Sequence, residues 1–417
     1  MNKPFFTNDA IVFGILSLIL AVVFITSTSE RKIFKRFYTY VPALLLCYFI
    51  PGLFNWPLGL ISGEESNLYF VASRYLLPAS LVLFCISIDF KGIWKLGPKA
   101  IIMFLTATVG IIIGAPVAFW LGSLMFPEIK SAVSGQEVWR GLSTVAGSWI
   151  GGGANQTAMK EIYNCSDSMF STFIIIDVVV ANIWMGFLLY GAGISNKIDK
   201  RLKADNSAIE DLKKRVENYR SKIARVPSTT DIFVILGIGF GITALAHWGA
   251  YVISAYMKNH MAFLQKYSLN SLVSDFFWMI VIATTAGLLL SFTRLKRYEG
   301  AGASRFGSVF IYILVATIGM KMNILEAFQN MHYFVIGLIW MAVHVFILLL
   351  VAKIIKAPFF FVAVGSQANV GGAASAPVVA SAFSTALAPV GVLLAVLGYA
   401  LGTYGAILAT QLMQWVQ

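Results

Sequence analysis

From Ala357 to Gln417 the chain contains no Asp, Glu, Lys or Arg. A bilayer core takes about 20 apolar residues per helix, so this stretch alone is long enough for two spans. Uncharged runs recur upstream at 10–28, 37–61, 75–88, 100–127, 141–159, 232–257, 276–293 and 306–320, while Asp177 interrupts the run 168–196. These runs predict an all-α integral membrane protein with about twelve transmembrane helices. Composition agrees: 58% of residues are hydrophobic, 12% are charged, and the mean hydropathy is +0.79.

The first apolar run follows MNKPFFTND, lacks a small-residue cleavage site and is long enough to span, so it is expected to be the first transmembrane helix and not a signal peptide. Cys47, Cys85 and Cys165 give no disulfide framework. The formal charge of +12 is no nucleic-acid signature, because its basic residues flank apolar runs, as at cytoplasmic membrane edges. The ten Trp and sixteen Tyr suit interfacial anchoring. HExxH, GxSxG and phosphate-loop patterns are missing, so no enzyme is expected, and no cofactor beyond a bound Na⁺.

Residues 197–225 hold ten Lys/Arg against five Asp/Glu and read as a cytoplasmic linker (197–229 with its flank), with a helix expected over 208–222. A docking site for a regulator is the other use of such a segment. The linker separates a first repeat (1–196) from a second (230–417). Ile150-Gly-Gly-Gly-Ala-Asn155 echoes Val370-Gly-Gly-Ala-Ala-Ser375, Phe170-Ser-Thr172 echoes Phe383-Ser-Thr385, and Ile86-Ser-Ile-Asp89-Phe90 echoes Ile318-Gly-Met-Lys321-Met322. Three echoes in one order favour an internal duplication. Basic residues follow the first and third runs of one half, and lie before the first run and after the second of the other. That bias predicts inverted repeats, which need an odd number of crossings between equivalent helices. Six candidates precede the linker, so one of them fails to cross, with Pro51 and Pro57 marking one suspect. Six crossings after the linker would return the C-terminal end to the cytoplasm.

Each half then carries one segment that lipid should reject. Residues 147–159 read GSWIGGGANQTAM and 365–379 read GSQANVGGAASAPVV. Irregular backbone survives at membrane depth only where protein or a wet cavity surrounds it, and glycine runs favour such a break. A broken helix exposes oppositely polarised half-helix ends in mid-membrane. The glycines Gly151, Gly152, Gly153, Gly371 and Gly372, with Ser148, Asn155, Gln156, Thr157, Ser366, Gln367, Asn369 and Ser375, therefore form the candidate site for a small polar solute. Close helix packing would explain the small residues alone, but not the amides and hydroxyls beside them.

Asp177, deep in STFIIIDVVVANIWMGF, is the candidate coupling residue, with Asn182 its polar companion. A lone carboxylate there is costly unless paired, hydrated or protonated, so it suits binding of Na⁺ or H⁺. A structural carboxylate paired with a buried base is the alternative, and Arg74 and Lys321 are the candidate partners. Asp89 matches Lys321 in the repeat and equally suits the membrane interface. His247 and His344 each stand alone in apolar helices and read as hydrogen-bonded core residues before proton relays.

The segments PASLVLFCISIDFKGIWKLG, GSWIGGGANQTAM, IIIDVVVANIWMG, VGSQANVGGAASAPVVA and GVLLAVLGYALGTYGA, spanning about residue 70 onward, resemble the bacterial membrane family called domain of unknown function 819. That resemblance implies similarity to bile-acid:sodium symporters and sodium/proton antiporters. In those proteins two broken helices cross in a core that moves, elevator-like, against a scaffold. It implies a core site at Asn155, Asp177, Asn369 and the two glycine runs, while Met320-Lys321-Met322-Asn323 departs from the family's small and acidic pattern. The expectation is an ion-coupled secondary transporter of the bacterial inner membrane, its partners a small polar solute (anionic, if helix N-termini face it), the coupling ion and lipid. A homodimer is the assembly that elevator transporters often form. The rivals are a cation/proton antiporter without organic substrate and, from another class, a membrane scaffold or sensor.

Overall fold

The computed structural model describes residues 4–41, 43–130, 137–204, 226–266, 270–321, 333–384 and 387–417. The expected helix over 208–222 and the residues Met322, Asn323 and Thr385 lie outside the described residues. Those described form helices without a strand. The first half contains α1 (Asp9–Ser27), α2 (Ala43–Asn55), α3 (Leu68–Ile86), α4 (Pro98–Met125), a broken α5 (Val138–Ile162) and α6 (Asp167–Gly193). The second contains α7 (Thr229–Lys258), α8 (Asp275–Leu290), α9 (Ala303–Gly319), α10 (Tyr333–Ile354), the pair α11 (Phe359–Val370) and α12 (Gly372–Phe383), and α13 (Ala388–Val416). Among the described residues seven of these helices are long and apolar enough to cross a membrane, fewer than the twelve expected. The shortfall has two sources: α2, α8 and α9 are shorter, and the two glycine segments are not through-helices.

Both glycine segments turn back on themselves. In α5 the backbone at Gly152 takes φ 73°, ψ −175°, a conformation that a side chain strongly disfavours. Beyond it the second arm returns alongside the first: a Cβ on Gly147 would lie 2.6 Å from the Asn155 carbonyl oxygen. At the mouth Arg140 donates to the Tyr163 carbonyl, and the Trp139 and Tyr163 rings stand 5.7 Å apart. The second pair repeats the design. Gly372 has φ 58°, Gln367 Nε2 donates to Ser375 Oγ at 2.7 Å, and Phe383 packs 6.1 Å from Phe359 and 5.3 Å from Phe360. The expected crossing broken helices are thus two helical hairpins. Each first arm is about 20 Å deep at 1.5 Å per residue.

Contacts at the helix ends sort the hairpins onto opposite ends of the molecule. Hairpin 1 opens beside the start of α3 and the end of α9, through Lys160–Tyr69 and Asp167–Lys321 contacts. Hairpin 2 opens beside the start of α4 and the segment after α6, through Lys99 donating to the Lys356 carbonyl and Phe359 N–H to Asp199. α13, about 43 Å long, leads Val416 away from the end where the linker begins, so the C-terminal end lies opposite the linker and not on its side as expected.

Packing divides the helices into two bundles. The leading helices of both halves (α1, α2, α3, α7, α8, α9) associate with one another, and the trailing ones (α4, hairpin 1, α6, α10, hairpin 2, α13) form the second group. The seam between them is polar in places: Thr284 meets Thr403 at 3.3 Å and Thr285 meets the Tyr404 hydroxyl at 2.6 Å, while Phe84 stacks on Tyr399 at 4.2 Å. Local rules start several helices, such as the Ser228–Asp231 capping box of α7 and the Ser166 cap of α6. Within α3 the ring of Pro78 removes the N–H that would bond to the Arg74 carbonyl, and the turn widens over Ala72–Leu76. His247 Nε2 from α7 supplies the missing donor at 2.8 Å, so His247 is a partly buried, hydrogen-bonded residue of the packing between α3 and α7.

Candidate functional site

Asp177 lies in α6 with 5% exposure, facing hairpin 1. Its Oδ1 accepts from Trp149 Nε1 at 2.6 Å and its Oδ2 from Gln156 Nε2 at 2.9 Å, and the Ser148 side chain stands close by. Trp149 sits on the arm entering the membrane, Gln156 on the arm leaving it, so the carboxyl group ties both arms together. No Lys, Arg or His pairs with it among the described residues. Its donors are all neutral.

Arg74 and Lys321, the expected partners of Asp177, belong elsewhere. Arg74 pairs with Glu161 at 2.9 Å and covers the Phe276 ring at 4.4 Å, while Lys321 pairs with Asp167 at 3.7 Å and covers the Tyr69 ring at 4.4 Å. The centre of this second network is Lys160, 5% exposed, with Asp167 at 2.8 Å, Glu161 at 3.5 Å and the Tyr69 hydroxyl at 3.1 Å. Tyr69 in turn donates to Glu161. The network spans the mouth of hairpin 1 and joins the two bundles, because Tyr69, Arg74 and Lys321 come from the leading helices. Lys160 and Glu161 follow GSWIGGGANQTAM directly in the sequence, and charged residues closing a glycine-rich apolar run were the signal that could have found them. Asp89 stays at the interface, capping the Lys91 N–H at 3.1 Å and pairing with Lys296 at 3.7 Å.

Asn155 and Asn369 do the same job in the two hairpins. Asn155 Nδ2 donates to the Gly151 carbonyl four residues back (3.0 Å) and to the Tyr399 carbonyl of α13 (3.2 Å), and its Oδ1 accepts from Thr403 Oγ1 (2.6 Å). Asn369 Nδ2 donates to the Gly365 carbonyl four residues back (3.0 Å) and to the Phe104 carbonyl of α4 (3.1 Å), and its Oδ1 accepts from Thr108 Oγ1 (2.8 Å). Both Thr residues sit four places after the helix residue whose carbonyl is used. Both Asn side chains are fully buried and satisfied, so they fix each hairpin to a neighbouring helix. Close approach makes this reach possible: a Cβ on Gly151 would lie 2.6 Å from the Gly402 Cα.

The remaining predicted residues divide. Thr157 bonds back to the Gly153 carbonyl at 3.0 Å, within its own arm. Asn182 bonds to the Val178 carbonyl of its own helix at 2.7 Å and does not join Asp177. Ser366 accepts from Trp184 Nε1 at 2.8 Å and lies 2.8 Å from Nε2 of the buried His344, which makes His344 the titratable companion of hairpin 2. Gln367 engages Ser375 through Nε2, while its buried Oε1 has no partner among the described residues. Gly153, Gly371 and Gly372 lie at the tips and are partly accessible. The two hairpins approach each other at α13: a Cβ on Gly398 would lie 2.7 Å from the Ile150 carbonyl oxygen and 3.7 Å from that of Ala368. These carbonyls lie within about a turn of the breaks at Gly152 and Gly372, so both tips, where each returning arm begins with a helix N-terminus, sit within one bundle.

Hairpin 2 has one further anchor that sequence reading assigned to the linker. The short helix Ser195–Leu202 places Asp199 at the hairpin mouth, where Oδ1 accepts the Phe359 N–H at 2.7 Å. Burial pushes the Asp199 carboxyl above its ordinary range, against the lowering effect of that hydrogen bond. Cys165, at the mouth of hairpin 1, is pushed up to about 12, mainly by burial. Among the described residues no cluster of His, Cys, Asp and Glu could hold a metal ion.

Apolar helices in two bundles, with paired hairpins meeting inside one of them, define a polytopic helical membrane protein. The chain belongs to the family described as protein of unknown function (DUF819), whose profile matches residues 14–416 and so takes in the leading helices as well. It is similar to the uncharacterized membrane protein YjcL of Bacillus subtilis (strain 168), with 23% identity over 360 residues, 82% of each chain.

Proposed function

We propose that this protein is an ion-coupled secondary transporter of a small polar solute. The observation that carries the reading is the meeting of two oppositely inserted hairpins at Gly398, beside a buried Asp177 without a counter-charge. Mid-membrane polar backbone of this kind is built around a hydrophilic guest. The returning-arm N-termini favour an anionic group on that guest, and the buried acceptor Gln367 Oε1 favours a donor on it. The trailing bundle, with both hairpins, would shift against the leading bundle along their partly polar seam, in an elevator-like way. The two halves are inverted repeats in this reading. The basic end, with Arg31, Lys32, Lys35, Arg36, Lys91, Lys95, Lys99 and the linker, faces the cytoplasm of a bacterial cell, and a homodimer is the proposed assembly.

The test is reconstitution of the full chain in proteoliposomes, with fluxes measured under imposed pH or Na⁺ gradients. A thermal-shift screen over small polar metabolites supplies candidate solutes, since a ligand at a hundred times its Kd stabilises by about 2.7 kcal/mol. Gradient-driven uptake of a stabilising solute supports the reading. Exchange of cations without any organic solute would make the protein an antiporter, and the absence of every ion-driven flux would overturn the proposal.

A further inference from the structure

The coupling ion follows from what surrounds the carboxyl group. We infer that Asp177 binds a proton and that the site does not take Na⁺; the inference rests on the transporter reading only for the word coupling. A sodium ion needs several oxygen ligands converging on one point. Here each carboxylate oxygen is instead engaged by an N–H: Trp149 Nε1 at 2.6 Å and Gln156 Nε2 at 2.9 Å. Indole is a donor only, so it turns the positive end of its dipole toward the place a cation would occupy. Of the broken-helix carbonyls, Gly151 O accepts from Asn155 Nδ2 and Gly153 O from Thr157 Oγ1. What remains near the carboxyl group is hydroxyl oxygen, from Ser148 and Tyr48, and either suits one O–H of a protonated acid.

The same residues accept both protonation states. With the carboxylate charged, Trp149 and Gln156 both donate. With the acid neutral, Ser148 takes its proton as an acceptor, or the Gln156 amide turns to present its oxygen. No covalent bond beyond O–H is made or broken, and the proton arrives from and returns to water.

Other ionisable groups around α6 are committed elsewhere. Hairpin 1 brings Lys160 and Glu161, held in the mouth network with Asp167, Arg74 and Lys321. His344 of α10 faces Ser366 in hairpin 2, and Asp199 caps Phe359. Among the described residues Tyr48 of α2 is a further titratable group close enough to interact with Asp177, and its fully buried hydroxyl stands near Thr157. A bound proton neutralises the carboxylate without the further oxygen ligands that a sodium ion would require.

Infrared difference spectroscopy of the full-length protein in lipid, stepped from mildly acid to mildly alkaline pH, tests this without a known solute. A protonated-carboxyl carbonyl band should disappear as pH rises, with the same titration in NaCl and in choline chloride. It should be missing from Asp177→Asn and shifted in frequency in Trp149→Phe, which loses one donor. The inference is overturned by loss of the band on Na⁺ addition at fixed pH, by its absence at every pH, by its survival in Asp177→Asn, or by an unshifted Trp149→Phe. Sodium-driven, pH-indifferent uptake would keep the carrier reading and sink the proton assignment. A titrating band without any driven flux would do the reverse.

Discussion

The two hairpins share a frame and differ in what they hold. Both turn at a positive-φ glycine, both are fixed by an Asn–Gly–Thr arrangement, and both carry Gly-Ser in the entering arm. Hairpin 1 encloses a carboxyl group among neutral donors and closes its mouth with a network of charged side chains centred on Lys160. Hairpin 2 encloses an imidazole bonded to Ser366 and closes its mouth with one carboxylate on a backbone N–H. Frame and chemistry are therefore separable: the shared residues build the fold, and the differing ones are where function is to be sought.

The sharpest way to break that comparison is to exchange the buried titratable groups. Asp177→Asn keeps the Trp149 bond yet should lower gradient-driven flux by roughly tenfold or more; His344→Gln, in contrast, should cost about twofold. Comparable losses in proteoliposomes would mean that charge chemistry is not confined to hairpin 1. Asn155→Ala and Asn369→Ala come next. Each leaves a buried Thr hydroxyl and two carbonyls with fewer partners, at about 1–3 kcal/mol per abandoned group. Matching falls in apparent melting temperature are expected, and a large inequality would show that the two anchors are not equivalent.

Backbone tests follow at smaller size. Gly152→Ala should cost about 1–3 kcal/mol because ψ −175° at positive φ suits glycine alone, and Gly372→Ala about 1–2 kcal/mol, both read from thermal denaturation in detergent. The smallest effect belongs to Asp199→Asn, which keeps an acceptor for the Phe359 N–H and should stay within about 0.5 kcal/mol. Its pH signature has a definite sign. Because the folded carboxyl sits above its ordinary range, folding favours the protonated acid, so the wild type should lose a little stability as pH rises through that window, and Asp199→Asn should not.

Charge-free runs made the helical membrane class legible, and glycine runs marked both hairpin tips to the residue. The fold-back was not legible, since a hairpin arm and half of a through-helix have the same composition and period. The partners of Arg74 and Lys321 were misread for a different reason. Sequence gives no depth, and Arg74 meets Glu161 at the mouth, while Asp177 lies farther in. His247 was readable in principle, because a proline four places beyond Arg74 leaves a carbonyl that some donor must satisfy. Asp199 was hidden by its neighbours: ten basic residues made the whole segment read as solvated, although its first turn is folded onto hairpin 2.

The asparagine anchors tie each tip to a helix outside its own hairpin. A tip that moved by itself would have to abandon a carbonyl, a threonine hydroxyl and its own helical bond in one movement, at a buried site with no water to replace them. Each loop and its anchoring helix therefore form one packed unit, as a drawer does with its contents.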